Sequence, residues 1–348
     1  MADGGRRRRA FIGSFTAAGG PGLVTAAVHP DSGALALRGR LDGVPDPSYL
    51  ALSAGGDTLY AVSETADGAV AAYRVNGDKL EPAGPPVPVG ASGPTHLSLH
   101  AGHVLTANYG SGSVTAVPLR ADGSLARAPS GLHQHTGSGP HERRQRGPHA
   151  HQVQPDPSGR WLVSVDLGTD SVRVCTLDRG TPALHREVAL RPGSGPRHLA
   201  FHPDGAHAYV VNELTPTVTV CRWDAETGSL KPLTETQVLP GAPAGDAYSS
   251  GIVVSPDGRF VWTATRGEDV LSVFAVEGEG LRLTGTVPCG GHWPRALAES
   301  GGFLYAANER SGDVSWFAID PGTGMPRYEG SVGVPAASCV VFDTVAAE

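Results

Sequence analysis

The stretch that decides the fold is Gly195–Val220, which reads GPRHLAFHPDGAHAYVVNELTPTVTV. It holds a short anchor, an apolar run, a Pro-Asp-Gly turn, a second apolar run that ends in Asn212 and Glu213, and a third apolar run after a polar turn. Short apolar runs that are bounded by Gly, Pro, Asn and Asp are typical of β-strands. The stretch therefore predicts three successive antiparallel strands joined by tight turns.

The same order of anchor, turn and strands recurs along the whole chain. The anchors fall near residues 47, 94, 148, 196, 249, 294 and 335, which is a period of about 48 residues. The next apolar run begins five residues after each of Tyr109, Leu167, Glu213, Arg266 and Glu309. Seven such units with about four strands each predict an all-β fold, a seven-bladed β-propeller of four-stranded antiparallel blades.

The two ends of the sequence indicate how the ring closes. The last unit, Ala337–Phe342, is too short for a whole blade, and the apolar run Arg9–Ser14 precedes the first anchor. We expect the N-terminal run to supply the missing outer strand, because a half-made sheet would expose free edges. The ring is thus predicted to be closed by N- and C-terminal strands.

Composition predicts one domain without a membrane or nucleic-acid partner. Residues 1–9 are expected to form a disordered basic arm, and residues 10–348 a single propeller. The net charge of -7 argues against a nucleic-acid-binding surface, and no apolar run is long enough for a transmembrane helix or a signal peptide. The four cysteines show no C-x-x-C spacing, which favours a reduced, cytoplasmic protein. The oligomeric state is left open.

Blade topology places the polar positions of the repeat at one mouth of the propeller. The first strand of a blade lines the channel and the second runs back beside it, so the anchor and the end of the second strand meet at the same face. The candidate residues at that mouth are Glu64, His96, Tyr109, His149, His151, Arg197, His198, Glu213, Arg266, Arg295 and Glu309. Their variety from blade to blade suits an asymmetric ligand better than a purely structural repeat.

Two simpler interpretations of these residues stay open. The arginines and Glu213 could form salt bridges between blades and serve only the structure. His149 and His151 are two residues apart, so on a strand they face the same side and could hold a metal ion. No third ligand stands at a suitable spacing, and we predict neither a metal nor another cofactor.

Several runs of this sequence resemble one family. They are Phe11–Thr16, Gly147–Val153, Gly195–Phe201, Val211–Leu214 and Val254–Arg259, and the resemblance extends from about residue 10 to the end. The family is that of the seven-bladed propeller lactonases, which includes bacterial 6-phosphogluconolactonases and fungal 3-carboxy-cis,cis-muconate lactonizing enzymes.

The resemblance implies a metal-independent site of one His, two Arg and one Glu in the central cleft. The His falls on His149 or His151, with His149 preferred, and the Glu on Glu213. The first Arg is Arg197; the second is Arg266, with Arg295 as its rival. The catalytic candidates are therefore His149, His151, Arg197, Glu213 and Arg266. The expected substrate-binding residues are Arg295, Glu309, His198, Tyr109, Glu64 and His96.

The expected function is hydrolysis of an anionic sugar lactone such as 6-phosphogluconolactone by water. Lactone formation of the carboxymuconate type, or a recruited secondary-metabolism reaction, would need similar groups and is the first alternative. A non-catalytic ligand-binding propeller is the second. The stretch His133–Arg146 lengthens one repeat, and either a substrate-covering loop or a solvated insertion would explain it.

Overall fold

The computed structural model describes residues 8–343, and the strands of this part form seven antiparallel sheets. Blade 1 contains both ends of the described chain, and the order of its strands from the channel outward is β29-β1-β2-β3. Its strands are β1 (Arg9–Ser14), β2 (Leu23–Val28), β3 (Leu35–Leu41) and β29 (Ala337–Phe342). A short 3₁₀ turn, Thr16–Ala18, follows β1.

The other six blades follow one another along the chain. Blade 2 consists of β4 (Leu50–Leu52), β5 (Thr58–Ser63), β6 (Ala69–Asn76), β7 (Lys79–Pro82) and β8 (Val87–Pro88). Blade 3 consists of β9 (Pro94–His100), β10 (His103–Asn108), β11 (Ser113–Pro118) and β12 (Gly131–Gln134). Blade 4 consists of β13 (Ala150–Pro155), β14 (Leu162–Asp166), β15 (Ser171–Asp178) and β16 (Thr181–Ala189). Blade 5 consists of β17 (Pro196–Phe201), β18 (His207–Asn212), β19 (Thr217–Asp224) and β20 (Ser229–Gln237). Blade 6 consists of β21 (Tyr248–Val254), β22 (Phe260–Arg266), β23 (Val270–Glu277) and β24 (Gly280–Pro288). Blade 7 consists of β25 (Pro294–Ser300), β26 (Phe303–Asn308), β27 (Asp313–Ile319) and β28 (Pro326–Gly333).

The ring is closed around the innermost strands. Each of the seven strands β29, β4, β9, β13, β17, β21 and β25 contacts the next, and β25 contacts β29 again. The predicted seven-bladed propeller and its closure by the N- and C-terminal strands are therefore confirmed.

One detail of the closure differs from the prediction. Strand β1 is not an outer strand: it lies directly beside the innermost strand β29, and β2 and β3 complete the sheet outside it. The reason is the apolar character of Phe11 and Ile12, which are fully buried between blades, a position that suits an inner strand.

The first described residues join this closing blade. Residues 1–7 of the expected basic arm lie outside the described residues. Arg9 is the first residue of β1, and its Nε and Nη2 donate hydrogen bonds to the two carboxylate oxygens of Asp343 at 2.7 and 3.1 Å. This fork joins the two ends of the described chain across the closing blade.

The hydrophobic core lies between neighbouring blades. One cluster, for example, joins Trp161 and Val163 of blade 4 to Leu199 and Trp223 of blade 5. Second strands such as β5 and β26 are buried at every residue because both of their faces are covered, whereas outer strands such as β16 are largely exposed. The core therefore fixes the blades relative to one another, and the polar side chains of the innermost strands face the channel.

A β-bulge recurs at the start of the innermost strand in six of the blades. In blade 5, Pro196 pairs with Asn212 and His198 with Val211, so Arg197 is left without a partner in the ladder. The residues at the equivalent positions are Thr95, His151, the pair Ser250 and Gly251, Arg295 and Ser338. A bulge re-aims the side chain of the unpaired residue, and here it does so at the mouth of the channel.

Candidate active site

The carboxylate of Glu213 lies at the centre of the mouth, surrounded by three guanidinium groups. Its Oε2 lies 3.1 Å from Nε of Arg197 and 2.7 Å from Nη2 of Arg266, and its Oε1 accepts a hydrogen bond of 2.6 Å from Nη2 of Arg144. Glu213 follows β18 directly, and its backbone N–H donates to the carbonyl of Gly195, which fixes it beside the anchor of its own blade.

Burial alone would raise the pKa of the Glu213 carboxyl, but the three guanidinium groups outweigh it and lower the pKa to about 2. Burial and the neighbouring charge of Arg266 lower the pKa of Arg197 to about 9. Both groups are therefore charged at neutral pH, and the site carries more positive than negative charge.

Backbone carbonyls hold the two deeper arginines in place. Nη1 of Arg197 donates a hydrogen bond of 2.6 Å to the carbonyl of Ser250, and Nη2 of Arg266 donates one of 3.2 Å to the carbonyl of Ser249. Both acceptors belong to β21 of blade 6, while Arg197 and Glu213 come from blade 5. The cluster thus spans the interface of two blades, as a purely structural salt bridge would also do.

His149 lies at the edge of this cluster, just before β13. Its backbone N–H donates to Oδ1 of Asp166 at 2.9 Å, and its Nδ1 lies 2.8 Å from the carbonyl oxygen of Tyr109. A carbonyl can only accept, so Nδ1 carries the proton and a neutral ring has its lone pair at Nε2. The ring stacks on Tyr109 with 4.4 Å between centroids and 17° between planes. The imidazole is therefore fixed in one orientation.

Three further histidines lie on the consecutive innermost strands β9, β13 and β17. The ring of His198 lies 5.5 Å from that of His96 and 5.2 Å from that of His151, both edge to face. Each ring has one buried nitrogen with no hydrogen-bond partner among the described residues. Burial, followed by the charge of Arg197, lowers the pKa of His96 to about 3 and also lowers the pKa of His151 and His198. These three imidazoles are neutral acceptors and donors at neutral pH.

These buried imidazoles predict that the protein loses stability as the pH falls below about 6.5, the usual pKa of His in an unfolded chain. In that range the unfolded chain binds protons that folded His96, His151 and His198 do not bind, so acid favours unfolding. His96→Asn should reduce the number of protons taken up on unfolding by about one near pH 5. The measurement is the free energy of denaturant unfolding at several pH values, for the wild type and the variant. Equal pH slopes for the two proteins would contradict the prediction.

Arg295 belongs to a second polar cluster at the same mouth. Its guanidinium lies 3.6 Å from Glu64 and 3.4 Å from Glu309, and it covers the ring of Phe15 at 4.7 Å. It does not pair with Glu213, which is paired with Arg266 instead. Of the two rival arginines, Arg266 contacts the carboxylate of Glu213, and its choice as the second catalytic arginine stays a prediction.

All eleven residues that the sequence placed at the mouth lie there. They differ in their surroundings: Glu213, Arg197 and Arg266 form the buried cluster, His149 and Tyr109 adjoin it through Arg144, and His96, His151 and His198 form the imidazole group. The assignment of chemical roles among them stays a prediction.

Sequence reasoning missed two residues of the mouth. Arg144 lies in the inserted stretch before β13, where a run of arginines resembles an ordinary solvated loop. Trp293 stands at a turn before β25 with a φ of 65°, and the guanidinium of Arg266 lies 5.6 Å from its ring. Only the unusual length of that repeat pointed to Arg144, and no sequence signal pointed to Trp293.

Within residues 8–343, no group of three or more His, Cys, Asp or Glu side chains is arranged to hold a metal ion. In the same part of the chain, no helix is long and apolar enough to cross a membrane.

Comparison with known proteins places this chain in a family. The profile of the family described as "Lactonase, 7-bladed beta-propeller" matches residues 9–342. The chain belongs to this lactonase family. It is 35% identical, over 344 residues, to a protein of Bacillus subtilis named 6-phosphogluconolactonase, and the match covers 95% of this lactonase and 97% of the relative.

Two solved structures share the whole fold of this lactonase. A protein from Lactobacillus plantarum is 28% identical with a TM-score of 0.91, and the match covers 97% of this lactonase and 99% of that chain. A periplasmic gluconolactonase from Pseudomonas aeruginosa is 30% identical with a TM-score of 0.89, and the match covers 98% and 100%. The expected cytoplasmic location stays a prediction, because this last protein is described as periplasmic.

Proposed function

We propose that this lactonase hydrolyses an anionic sugar lactone such as 6-phosphogluconolactone. The observation that carries the proposal is the charge at the mouth, where three guanidinium groups share the single carboxylate of Glu213. No other carboxylate of residues 8–343 lies within ion-pair distance of Arg144, Arg197 or Arg266. Partly buried cations without full compensation favour an anionic ligand. The name of the Bacillus subtilis relative supports the same substrate class.

His149 is the proposed general base. Its Nε2 lone pair can take a proton from water as the water oxygen attacks the lactone carbonyl carbon. When the tetrahedral intermediate collapses, the bond from that carbon to the ring oxygen breaks, and the imidazolium returns the proton to the departing oxygen. Glu213 is a poorer base, because a carboxyl with a pKa of about 2 holds a proton weakly at neutral pH.

Arg197 and Arg266 are proposed to stabilise the negative charge that develops on the carbonyl oxygen. Such donors are effective when they are held in place before the reaction. The carbonyls of Ser249 and Ser250 and the carboxylate of Glu213 hold them in this way. The role proposed for Glu213 is therefore to orient the two guanidinium groups.

Six other polar residues of the mouth are proposed to bind the hydroxyl groups of the sugar ring. They are Arg295, Glu309, Glu64, His198, His96 and Tyr109. The imidazoles are suited to this task because neutral His offers one donor and one acceptor.

The purified protein should hydrolyse 6-phosphogluconolactone faster than the spontaneous reaction, with no loss of rate after treatment with a chelator. The rate is followed by the release of acid at constant pH. A loss of rate with chelator would contradict the metal-free mechanism.

A panel of phosphorylated and carboxylated lactones separates the alternatives. Turnover of none of them, together with saturable ligand binding, would favour a binding propeller. Formation of a lactone from an unsaturated dicarboxylate would favour the cyclase.

A further inference from the structure

The inserted segment 135–149, here called the strap, is anchored at two points. At its start, Nδ1 of His135 lies 2.6 Å from Oδ2 of Asp166. Near its end, Nε2 of Gln145 donates to Oδ1 of Asp170 at 2.7 Å and to the carbonyl of Leu167 at 2.9 Å, and Gln145 is fully buried. The backbone beside Gln145 is therefore held in place while the neighbouring side chain reaches the mouth.

That neighbour is Arg144, whose Nη2 donates to Oε1 of Glu213 and, at 3.2 Å, to the hydroxyl of Tyr109. Its side chain is 35% exposed, whereas those of Arg197 and Arg266 are 3% and 8% exposed. Its Nε and Nη1 donate no hydrogen bond to any residue in the range 8–343. Of the three guanidinium groups on Glu213, this is the one with the greatest exposure.

We propose that Arg144 is an exchangeable clamp that leaves Glu213 for the anionic group of the substrate when the substrate binds. Arg144 is the partly exposed member of this ion pair, and Glu213 keeps Arg197 and Arg266 as counter-charges when Arg144 leaves, so the exchange for a phosphate is not costly. A phosphate offers several oxygens to the guanidinium fork, whose Nε and Nη1 donate no hydrogen bond to residues 8–343. The identity of the substrate rests on the function proposed above.

The exchange has a consequence for Glu213. Arg144 is one of the groups that lower the pKa of this carboxyl, so its withdrawal leaves the carboxylate shared between Arg197 and Arg266 alone. An anionic substrate would thereby change the electrostatics of the two arginines that face its reacting carbonyl. A neutral lactone would leave Arg144 on Glu213.

The test compares kcat/KM for 6-phosphogluconolactone and for gluconolactone, which have the same ring with and without the phosphate. The variant Arg144→Gln should lower the ratio of the two values by roughly 10–100-fold, as expected for a lost hydrogen bond to a charged group. Arg144→Lys keeps the positive charge but lacks the guanidinium fork. Its ratio of kcat/KM values should lie between those of Arg144→Gln and the wild type. The control Arg143→Gln alters an exposed arginine in the same strap and should leave the ratio unchanged.

An equal loss on both lactones would overturn the proposal, since Arg144 would then act only through Glu213 or the strap. If the wild type hydrolyses neither lactone, the proposed function fails, and the clamp is tested separately by calorimetry with 6-phosphogluconate. Binding that Arg144→Gln weakens at least tenfold and Arg143→Gln does not would support the clamp. No difference among the three proteins, or no binding, would overturn it.

Discussion

Replacing Glu213 by Gln is expected to lower the free energy of unfolding by about 3–5 kcal/mol, the cost of breaking a buried ion pair from one side. The carboxylate is 3% exposed and is the only ion-pair partner that Arg197 and Arg266 have among the described residues. Without it, two buried guanidinium groups face each other with no counter-charge. The loss is measured by denaturant unfolding at neutral pH.

The control for this change is Glu309→Gln. Glu309 is 24% exposed and lies 3.4 Å from Arg295, so its pair is screened by water and its loss should cost less than about 1 kcal/mol. Equal stability of the two variants would show that the arginines of the central cluster do not depend on Glu213.

The Glu213 effect also has a defined pH dependence. The folded pKa, about 2, is lower than the value of about 4.3 for an unfolded Glu, so the ionised carboxyl stabilises the fold fully above that unfolded value. The contribution is lost as the pH falls from about 4.3 through about 2. The stability difference between Glu213→Gln and the wild type should shrink over the same interval.

The second large effect is expected on catalysis. His149→Asn should lower kcat for the lactone by about 10²–10⁴-fold, the usual contribution of a positioned general base. The ring is fixed by the Tyr109 carbonyl and by stacking, so its Nε2 is held in place before water attacks. The measurement is the steady-state rate at neutral pH, with thermal unfolding as a check that the variant folds.

His151→Asn is the matched comparison. Burial, together with the charge of Arg197, lowers the pKa of His151. Its imidazole therefore accepts a proton from water less readily. Its replacement should lower kcat less than the replacement of His149. A larger loss in His151→Asn would move the base to that residue.

The repeat in the sequence was sufficient to predict the propeller and the mouth, because spacing and turn residues are local signals. The position of β1 within its blade could not be predicted in the same way. Strand β1 pairs with β29, and this pairing joins residues that are more than 300 positions apart in the sequence. Sequence also could not choose between Arg266 and Arg295 as the partner of Glu213. Both arginines occupy suitable positions in the repeat. They differ only in the carboxylates that their side chains contact in the folded protein.

Arg144 shows a different limit. The glutamate that it contacts is 69 residues away, and nothing in the run Glu142–Arg146 distinguishes the one arginine that turns inward from its exposed neighbours. The buried Gln145 next to it decides the direction, and a glutamine carries little sequence signal of burial.

The repeated bulge separates the chemistry of the channel from the scaffold that surrounds it. A residue that has no partner in the ladder can be exchanged without shifting the register of its strand. The equivalent bulges of four blades hold Thr95, His151, Arg197 and Arg295, which are three different chemical characters on one backbone pattern. New substrate preferences can therefore arise at these positions by single substitutions, while the blades that carry them keep the same hydrogen bonds.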